Sequence, residues 1–333
     1  MKISFFFFSF FLRLCKNNNM IDIAMALDDN YIYPTIVAIT SIMLNSNSNS
    51  KINFFIMHPP ELKIKNKEKI LKLENKFPKC KIRLINMGEK YKEANQNDLI
   101  TTPTYYRLSL PEILPNLHRI IWIDGDTLTF SDLEEMYNLN MTGLHFKGFL
   151  DETTSCVDVF RIENDHCICA GVMLVNLDEL RKDDMVNNYS KFIEKYNKKL
   201  FQHDQTIINA VSVNKIGILP AKYGMFNYKN INHLKDNTDG YRCKNGYSID
   251  ERLEAYFYPG ILHFVYKPWK NKKENRKSLW WDYAKKTDYY YQMFIHYYWY
   301  FYFKKFIKIL IIIFFIFILF YLLRKKKFNK FFN

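Results

Sequence analysis

The sequence lacks the cysteine spacing of a structural zinc site. Its six cysteines include no pair separated by two residues, the spacing with which short loops hold zinc. Cys167-Ile168-Cys169 lies in an apolar stretch and is typical of a buried strand. Nothing in the cysteine pattern requires an oxidising compartment. The sequence therefore argues against the zinc-finger class of protein.

The body of the chain also has little net charge, although the whole chain carries +14. Of the 48 Lys and Arg residues, 15 lie after Trp269, where only 3 acidic residues are found, so the rest of the chain carries +2. A nucleic-acid-binding protein needs bases spread over a folded face, so we expect no nucleic-acid partner. A basic tail beside an apolar segment indicates an anionic membrane surface instead.

The apolar part of this tail is residues 306–323, in which Lys308 is the one charged residue. Eighteen helical residues extend over roughly 27 Å, just short of a bilayer core. Basic residues flank the run on both sides, and aromatic residues typical of membrane interfaces precede it over 289–303. We expect a helix over 306–323 that spans the membrane or, as the alternative, lies in its plane. The protein is then membrane-associated, with its main folded domain in the cytoplasm.

The Phe-rich segment over 1–19 is too short to cross a membrane and lacks the small-residue cleavage site of a signal peptide. Because a clear strand begins at Met20, we expect that residue to be the true start and 1–19 to be an annotation artefact. The predicted organisation is this extension, a main folded domain over 20–285, and an aromatic and basic membrane-anchoring tail over 286–333.

Strand and helix patterns alternate through the first 130 residues. The predicted strands are 21–27, 52–57, 81–86 and 119–123, and the predicted helices are 31–44, 61–77 and 104–114. Later strands are predicted over 146–150, 171–176 and 261–264. Alternation with short connections predicts an α/β fold with a mixed, mostly parallel central sheet and flanking helices. Ligands gather beyond the carboxyl ends of such strands, where Asp28 and Asp124 both lie.

The triplet Asp124-Gly125-Asp126 directly follows the apolar strand over 119–123. Two carboxylates one residue apart can reach the same hard divalent cation, which usually bridges substrate phosphates. Gly125 permits a tight backbone between them. A solvated loop is the commoner explanation for two nearby acids, but the buried strand before them favours a metal site.

Six motifs, in order, resemble glycosyltransferase family 8, which includes lipopolysaccharide galactosyltransferases and glycogenin. They are residues 25–31, 104–108, 123–126 and 170–177, His203-Asp204-Gln205, and His263 with Lys267-Pro268-Trp269. The resemblance covers about residues 20 to 270. It implies a GT-A fold and a retaining, metal-dependent hexosyltransferase. Such an enzyme uses a UDP-sugar with Mn²⁺ or Mg²⁺ on a glycan or lipid-linked acceptor, as in lipopolysaccharide or cell-surface glycan synthesis.

The resemblance also implies a role for each matching residue. Asp124, Asp126 and His263 would bind the metal, and Lys267 would neutralise the diphosphate. The uridine would contact Ala26, Asp28 and Asn30, while Arg107 and Gly125 would complete the donor site beside the acidic pair. Asp204 would bind donor-sugar hydroxyls, Gln205 would lie near the anomeric carbon, and Asp151 would contact donor or acceptor.

Two departures from the family pattern affect these roles. Cys169 stands where the family usually has Asn, and a thiol is a weaker donor for the sugar. His263 and Lys267 are four residues apart without the usual intervening glycine, which puts their joint action on the diphosphate in question. Asp28 and Asp204 also have a structural alternative. Asp28 precedes the helix predicted over 31–44, and Asp204 opens a helix predicted over 204–211, so each could cap its helix.

Two other functions remain open. A catalytically inactive, membrane-bound scaffold would keep the fold and bind a partner, which Cys169 and the shortened spacing make conceivable. A phosphohydrolase with an aspartate nucleophile also uses a strand-end pair of acids, but it needs Thr or Val where Leu128 stands.

Overall fold

The computed structural model describes residues 20–47, 50–96, 101–151, 167–200, 202–226, 246–264, 266–270 and 276–329. The predicted extension over 1–19 lies outside these residues. The chain divides into two compact units between Tyr283 and Ala284. The first unit contains the sheets.

Ten strands are present in the described residues. They are β1 Met20–Ala26, β2 Lys51–His58, β3 Cys80–Asn86, β4 Arg119–Ile123, β5 Thr127–Thr129, β6 Phe146–Leu150, β7 Ile168–Asn176, β8 Ile216–Ile218, β9 Tyr223–Phe226 and β10 Ile261–His263. The main sheet has the order β3-β2-β1-β4-β7-β6-β8, and a small second sheet has the order β5-β10-β9. Strands β1 to β4 are parallel, β7 runs antiparallel to β4 and β6, and β8 is parallel to β6. The predicted mixed, mostly parallel sheet is confirmed.

Helices connect and cover these strands. They are α1 Ile32–Asn45, α2 Ile64–Leu71, α3 Leu73–Lys76, α4 Leu110–Ile113, α5 Glu134–Tyr137, α6 Leu177–Lys182, α7 Met185–Tyr196, α8 His203–Val211, α9 Ile249–Phe257, α10 Lys277–Ala284, α11 Tyr290–Phe294 and α12 Tyr300–Asn329. The single helix predicted over 61–77 is two helices. The one predicted over 104–114 is a 3₁₀ helix, Thr102–Ser109, followed by α4. Pro111 explains this break, because proline has no N–H for a helical bond and is tolerated only in a first turn.

The core lies along β1, β4 and β7. Every residue of β7 from Ile168 to Val175 is buried, so this strand is apolar throughout instead of alternating with polar residues. The buried strand indicated at residues 167–169 and the strand predicted over 171–176 are one continuous strand, β7, which begins at Ile168.

Strand register brings three distant segments to one edge of the main sheet. Ala24 of β1 lies beside Trp122 of β4, and Ile123 lies opposite Val172 of β7. The carboxyl ends of β1 and β4 and the beginning of β7 therefore meet. The second sheet adds a fourth segment there, because β10 pairs with β5 and the Phe264 N–H donates to the Asp126 carbonyl at 3.0 Å.

The predicted helix over 306–323 lies within α12, in the second unit. Its side chains from Tyr302 to Tyr321 are exposed, and Lys304, Lys305 and Lys308 lie among them. In the part of the chain that the structure describes, no helix combines the length and apolar character needed to cross a membrane. The spanning alternative for this helix is therefore not supported.

Candidate active site

Asp124 and Asp126 are held by backbone contacts at the end of β4. The Asp124 N–H donates to the Gly171 carbonyl at 2.8 Å, and the Thr127 hydroxyl donates to the Asp124 carbonyl at 2.9 Å. A Cβ at Gly125 would come 2.6 Å from the Thr35 hydroxyl oxygen. Only glycine therefore fits between the two acids, because α1 packs directly against the turn.

Asp124, Asp126 and His263 form a cluster suited to a metal ion. Each offers one ligand atom, and these atoms all lie within 4.8 Å of one another. His263 Nε2 is 3.2 Å from Asp126 Oδ1, an oxygen that is buried and accepts no hydrogen bond within the described residues. Two carboxylates and an imidazole are a donor set that suits Mn²⁺ or Mg²⁺ completed by water and phosphate oxygens.

Gly171 shapes the space between these ligands. A Cβ added there would meet His263 Cε1 at 2.3 Å, His263 Nδ1 at 2.9 Å and Asp124 Oδ2 at 3.0 Å. The ligands from β4 and β10 thus approach each other across a position where the middle strand has no side chain. The residues present therefore fit a bound cation.

Two basic side chains contact Asp126, which is 4% exposed. Lys267 Nζ donates to Asp126 Oδ2, and His263 lies against Oδ1. Burial by itself would raise the pKa of Asp126, but Lys267 and His263 outweigh it and hold the pKa well below its usual range. The carboxylate is therefore ionised. The short loop between His263 and Lys267 still brings both residues to one carboxylate.

Arg107 joins Asp124 to Asp204 beneath the cleft. Its Nη2 donates to Asp124 Oδ1 at 3.0 Å, and its Nε is 3.0 Å from Asp204 Oδ2. Arg107 also donates to the Ala170 carbonyl, and the Thr104 hydroxyl donates to Asp204 Oδ1 at 2.9 Å. Burial raises the pKa of Asp204, and Arg107 offsets only part of that rise. Arg107 is therefore a buried structural cation of the site and not a surface residue.

Gln205 and Asp151 are hydrogen-bonded to each other beside the beginning of β7. The Gln205 amide donates to Asp151 Oδ2 at 2.9 Å and accepts from the Ala170 N–H at 3.0 Å. Both ends of the amide are thus fixed by the beginning of β7 and by Asp151.

Cys169 has a free, buried thiol beside the candidate metal ligand His263. Its sulfur is 3.7 Å from His263 Nδ1 and accepts from the Gly171 N–H at 3.5 Å. The residue therefore contacts a candidate metal ligand as well as the cleft. Cys167, two residues earlier, is disulfide-bonded, which the cysteine spacing did not indicate.

Asp28 lies at the turn before α1. Its Oδ1 accepts from the N–H groups of Asn30 and Tyr31 at 2.8 and 3.1 Å, and its Oδ2 accepts from the Thr101 hydroxyl at 3.3 Å. Asp28 thus stabilises the turn before α1, but the helix cap that the sequence left open for it is not formed, because Tyr31 is the N-cap residue and α1 has no side-chain cap bond. One face of the residue still lines the cleft.

A single cleft of about 320 Å³ connects most of these groups. The predicted residues that line it are Ala26, Asp28, Arg107, Asp124, Gly125, Asp126, Asp204, Gln205, His263 and Lys267. Asn30 and Asp151 do not line it. Among the other lining residues, Tyr31, Thr104 and Trp122 had no assigned role. Tyr31 and Thr104 lie within the quoted motifs, whereas Trp122 resembled only an apolar strand residue.

Comparison with known proteins decides the family. The sequence model of Glycosyl transferase family 8 matches residues 22–273, three quarters of the chain. The chain belongs to glycosyltransferase family 8. It is a glycosyltransferase homologue, and the phosphohydrolase alternative has no support.

Similar proteins agree with this assignment. A Haemophilus influenzae protein described as a glycosyltransferase is 27% identical over 204 residues, which cover 59% of this chain and 60% of that protein. The chain thus spans less than two thirds of that relative's length. The apo structure of the bifunctional glycosyltransferase WbbM superimposes with a TM-score of 0.70 at 17% identity, covering 83% of this chain and 51% of WbbM.

The galactosyltransferase LgtC, solved with donor and acceptor sugar analogues, gives a TM-score of 0.67 at 19% identity. That match covers 80% of this chain and 96% of LgtC. At these identities the structures show the fold alone. The family 8 protein thus has the GT-A-like α/β glycosyltransferase fold.

Proposed function

We propose that this family 8 protein transfers a hexose, with retention of anomeric configuration, from a UDP-sugar to a glycan or lipid-linked acceptor. The observation that carries the proposal is the cluster of Asp124, Asp126 and His263, with Lys267 beside it, in one cleft with Asp28. Such a cleft offers a divalent cation (Mn²⁺ or Mg²⁺) and a lysine to a diphosphate. A role in lipopolysaccharide or other cell-surface glycan synthesis is part of the proposal.

The charge that develops on the leaving UDP determines what the residues must do. Mn²⁺ or Mg²⁺, when bound, would supply Lewis-acid stabilisation of the diphosphate oxygens. Lys267 is placed to donate to the same oxygens, because its Nζ already lies at Asp126. A donor positioned where charge develops stabilises the transition state more than the ground state.

Retention in this site proceeds without a protein nucleophile. Asp204 is bonded to Arg107 and Thr104, so its carboxylate is committed to holding the site. Gln205 is an amide fixed at both ends and is a poor nucleophile. The acceptor hydroxyl therefore attacks on the face that the UDP leaves, and a phosphate oxygen takes its proton.

The test of the proposed function is UDP release from a panel of UDP-hexoses. Each donor is measured with Mn²⁺, with Mg²⁺ and with EDTA. Because LgtC is a galactosyltransferase, UDP-galactose is the first donor to test. We expect at least one donor to release UDP with Mn²⁺, and EDTA to lower that rate about 100-fold or more. Absence of metal-dependent release with every donor would leave the inactive scaffold as the better description.

We also propose that the protein attaches to a membrane surface through α12. Large apolar side chains are exposed along this helix, among them Phe306, Phe314 and Phe320 at 57%, 63% and 68%. Lys304, Lys305 and Lys308 lie at its amino-terminal end and suit anionic headgroups.

Replacing Lys304, Lys305 and Lys308 together with glutamate is expected to weaken binding to phosphatidylserine-containing vesicles about 100-fold, because each basic residue near such a surface contributes about 1 kcal/mol. Sedimentation of the full chain with vesicles measures the change. The matched control replaces the exposed Lys72, Lys79 and Lys81 of the first unit with glutamate, an identical change in net charge. Equal losses in both triple variants would show that net charge, and not α12, causes binding.

A further inference from the structure

Trp122 is the one large aromatic side chain of β4, and it contacts Asp124 of the candidate metal site. Its side chain is 1% exposed, and its indole Nε1–H donates to Asp124 Oδ1 at 2.7 Å. Alternate residues of a strand point to the same face, so Trp122 and Asp124 lie side by side. The same indole packs in the hydrophobic core below. Trp122 therefore connects a rigid core to a candidate metal ligand.

Arg107 lies over the same indole. Its guanidinium carbon is 4.4 Å from the ring centroid, a cation–π distance, and its Nη2 donates to Asp124 Oδ1 at 3.0 Å. Two donors thus converge on one carboxylate oxygen. The ring also supports the guanidinium that supplies the second of these donors, so both contacts depend on Trp122.

The other oxygen of Asp124 faces the cluster. Oδ2 and the His263 ring lie on the same side of Gly171, where a Cβ would be 3.0 Å from the oxygen and 2.9 Å from His263 Nδ1. With Oδ1 occupied by two hydrogen bonds, Oδ2 is the oxygen presented to a cation. The carboxylate is then a one-oxygen ligand with a fixed orientation.

We propose that Trp122 is a positioning residue of the metal site, which holds Asp124 as a one-oxygen ligand and thereby favours small octahedral cations over Ca²⁺. The inference rests on the proposed function, in which this site binds a divalent cation with UDP. Mg²⁺ requires near-ideal octahedral geometry, whereas Ca²⁺ accepts six to eight ligands and carboxylates that use both oxygens. Groups that orient a metal ligand typically change affinity about 10- to 100-fold when removed.

The test is Mn²⁺ and Ca²⁺ binding in the presence of UDP, measured on the full chain. Free Mn²⁺ is quantified from its electron paramagnetic resonance signal, and Ca²⁺ is measured by competition against Mn²⁺. For Trp122→Phe we expect the Kd for Mn²⁺ to rise about 10-fold and that for Ca²⁺ to change less. The ratio of the two constants therefore shifts towards Ca²⁺, which a general loss of packing would not produce.

Two further variants distinguish the contribution of the indole N–H group from that of the ring volume. Trp280→Phe removes the same volume from a Trp that is 0% exposed and does not line the cleft, so it is expected to lower stability without changing either Kd. Replacing Trp122 by 3-benzothienylalanine keeps the bicyclic ring and substitutes sulfur for N–H, so it tests the hydrogen bond if Trp122→Phe does not fold.

Each outcome is decisive. If the unaltered protein binds no Mn²⁺ with UDP, the metal-dependent function fails and the inference fails with it. If the unaltered protein binds Mn²⁺ and the benzothienyl or Phe variant binds it with the same Kd, the positioning role is overturned while the function stands. Equal weakening for Mn²⁺ and Ca²⁺ would likewise overturn it, because Trp122 would then act through packing alone.

Discussion

Replacing Asp126 with asparagine is expected to abolish metal-dependent UDP release, with a loss of at least about 1,000-fold in kcat/KM. The change keeps the shape of the side chain and removes its charge. Asp126 lies between His263 and Lys267. A neutral amide at this position is expected to bind the divalent metal ion poorly and no longer to orient Lys267 at the diphosphate. The measurement is UDP release with the best donor of the panel at saturating Mn²⁺.

The same substitution also affects stability, so it needs a folding control. Removing the charge of Asp126 leaves the half-buried Lys267 without its counter-ion, which is expected to lower stability. Circular dichroism melting establishes a temperature at which the variant is folded, and turnover is measured below it. Asp178→Asn, in an exposed pair with Arg181, is the matched control and should keep full activity. Unchanged turnover by folded Asp126→Asn would contradict the proposed metal site.

Replacing Gly171 with alanine is expected to weaken Mn²⁺ binding about 100-fold, although the substitution adds only one methyl group. The new Cβ would lie 2.3 Å from His263 Cε1, well inside van der Waals contact. The backbone of Gly171 is held by neighbouring strands on both sides and cannot move away, so the His263 side chain must turn away from Asp126. The Kd for Mn²⁺ with UDP, from the same resonance titration, measures the effect.

A second glycine provides the control for overpacking. A Cβ at Gly217 would meet Leu144 Cδ1 at 2.8 Å and Lys147 Cγ at 3.0 Å, which are side chains far from the metal cluster in sequence and absent from the cleft. Both alanine variants are expected to lose about 1–3 kcal/mol of stability. Only Gly171→Ala should lose metal affinity. Mn²⁺ binding by Gly171→Ala equal to that of Gly217→Ala would show that His263 is not a ligand.

Much of the fold was predictable because its signals are local. The apolar runs of β1, β2, β3 and β4 and the short polar connections between them indicate parallel strands without any tertiary information. The sequence predicted one helix over 104–114 and did not separate the 3₁₀ helix from α4, because the apolar pattern continues through the break. The sequence indicated β7 in two pieces, at residues 167–169 and 171–176, because Ala170 and Gly171 have little strand propensity, and the sheet around them joins the two pieces.

The sequence by itself determined the family and the identity of the candidate metal ligands. Asp124, Asp126 and His263 were predicted because the motifs that contain them keep their order along the chain. The sequence did not establish whether His263 and Lys267 could act together, since four residues can form loops of many shapes. The structure brings both to Asp126, through the pairing of β10 with β5.

Only the tertiary structure decided how the ligands are oriented. The sequence pattern predicts that Trp122 is a core residue, and it indicates only that Gly171 is a small residue within a motif. Their roles depend on which atoms face each other across β4, β7 and β10, and that follows from register between strands far apart in the chain. A sequence specifies which side chains are available, whereas strand register sets the distances between them. The hydrogen bond from Trp122 and the space above Gly171 therefore became visible only in the folded protein.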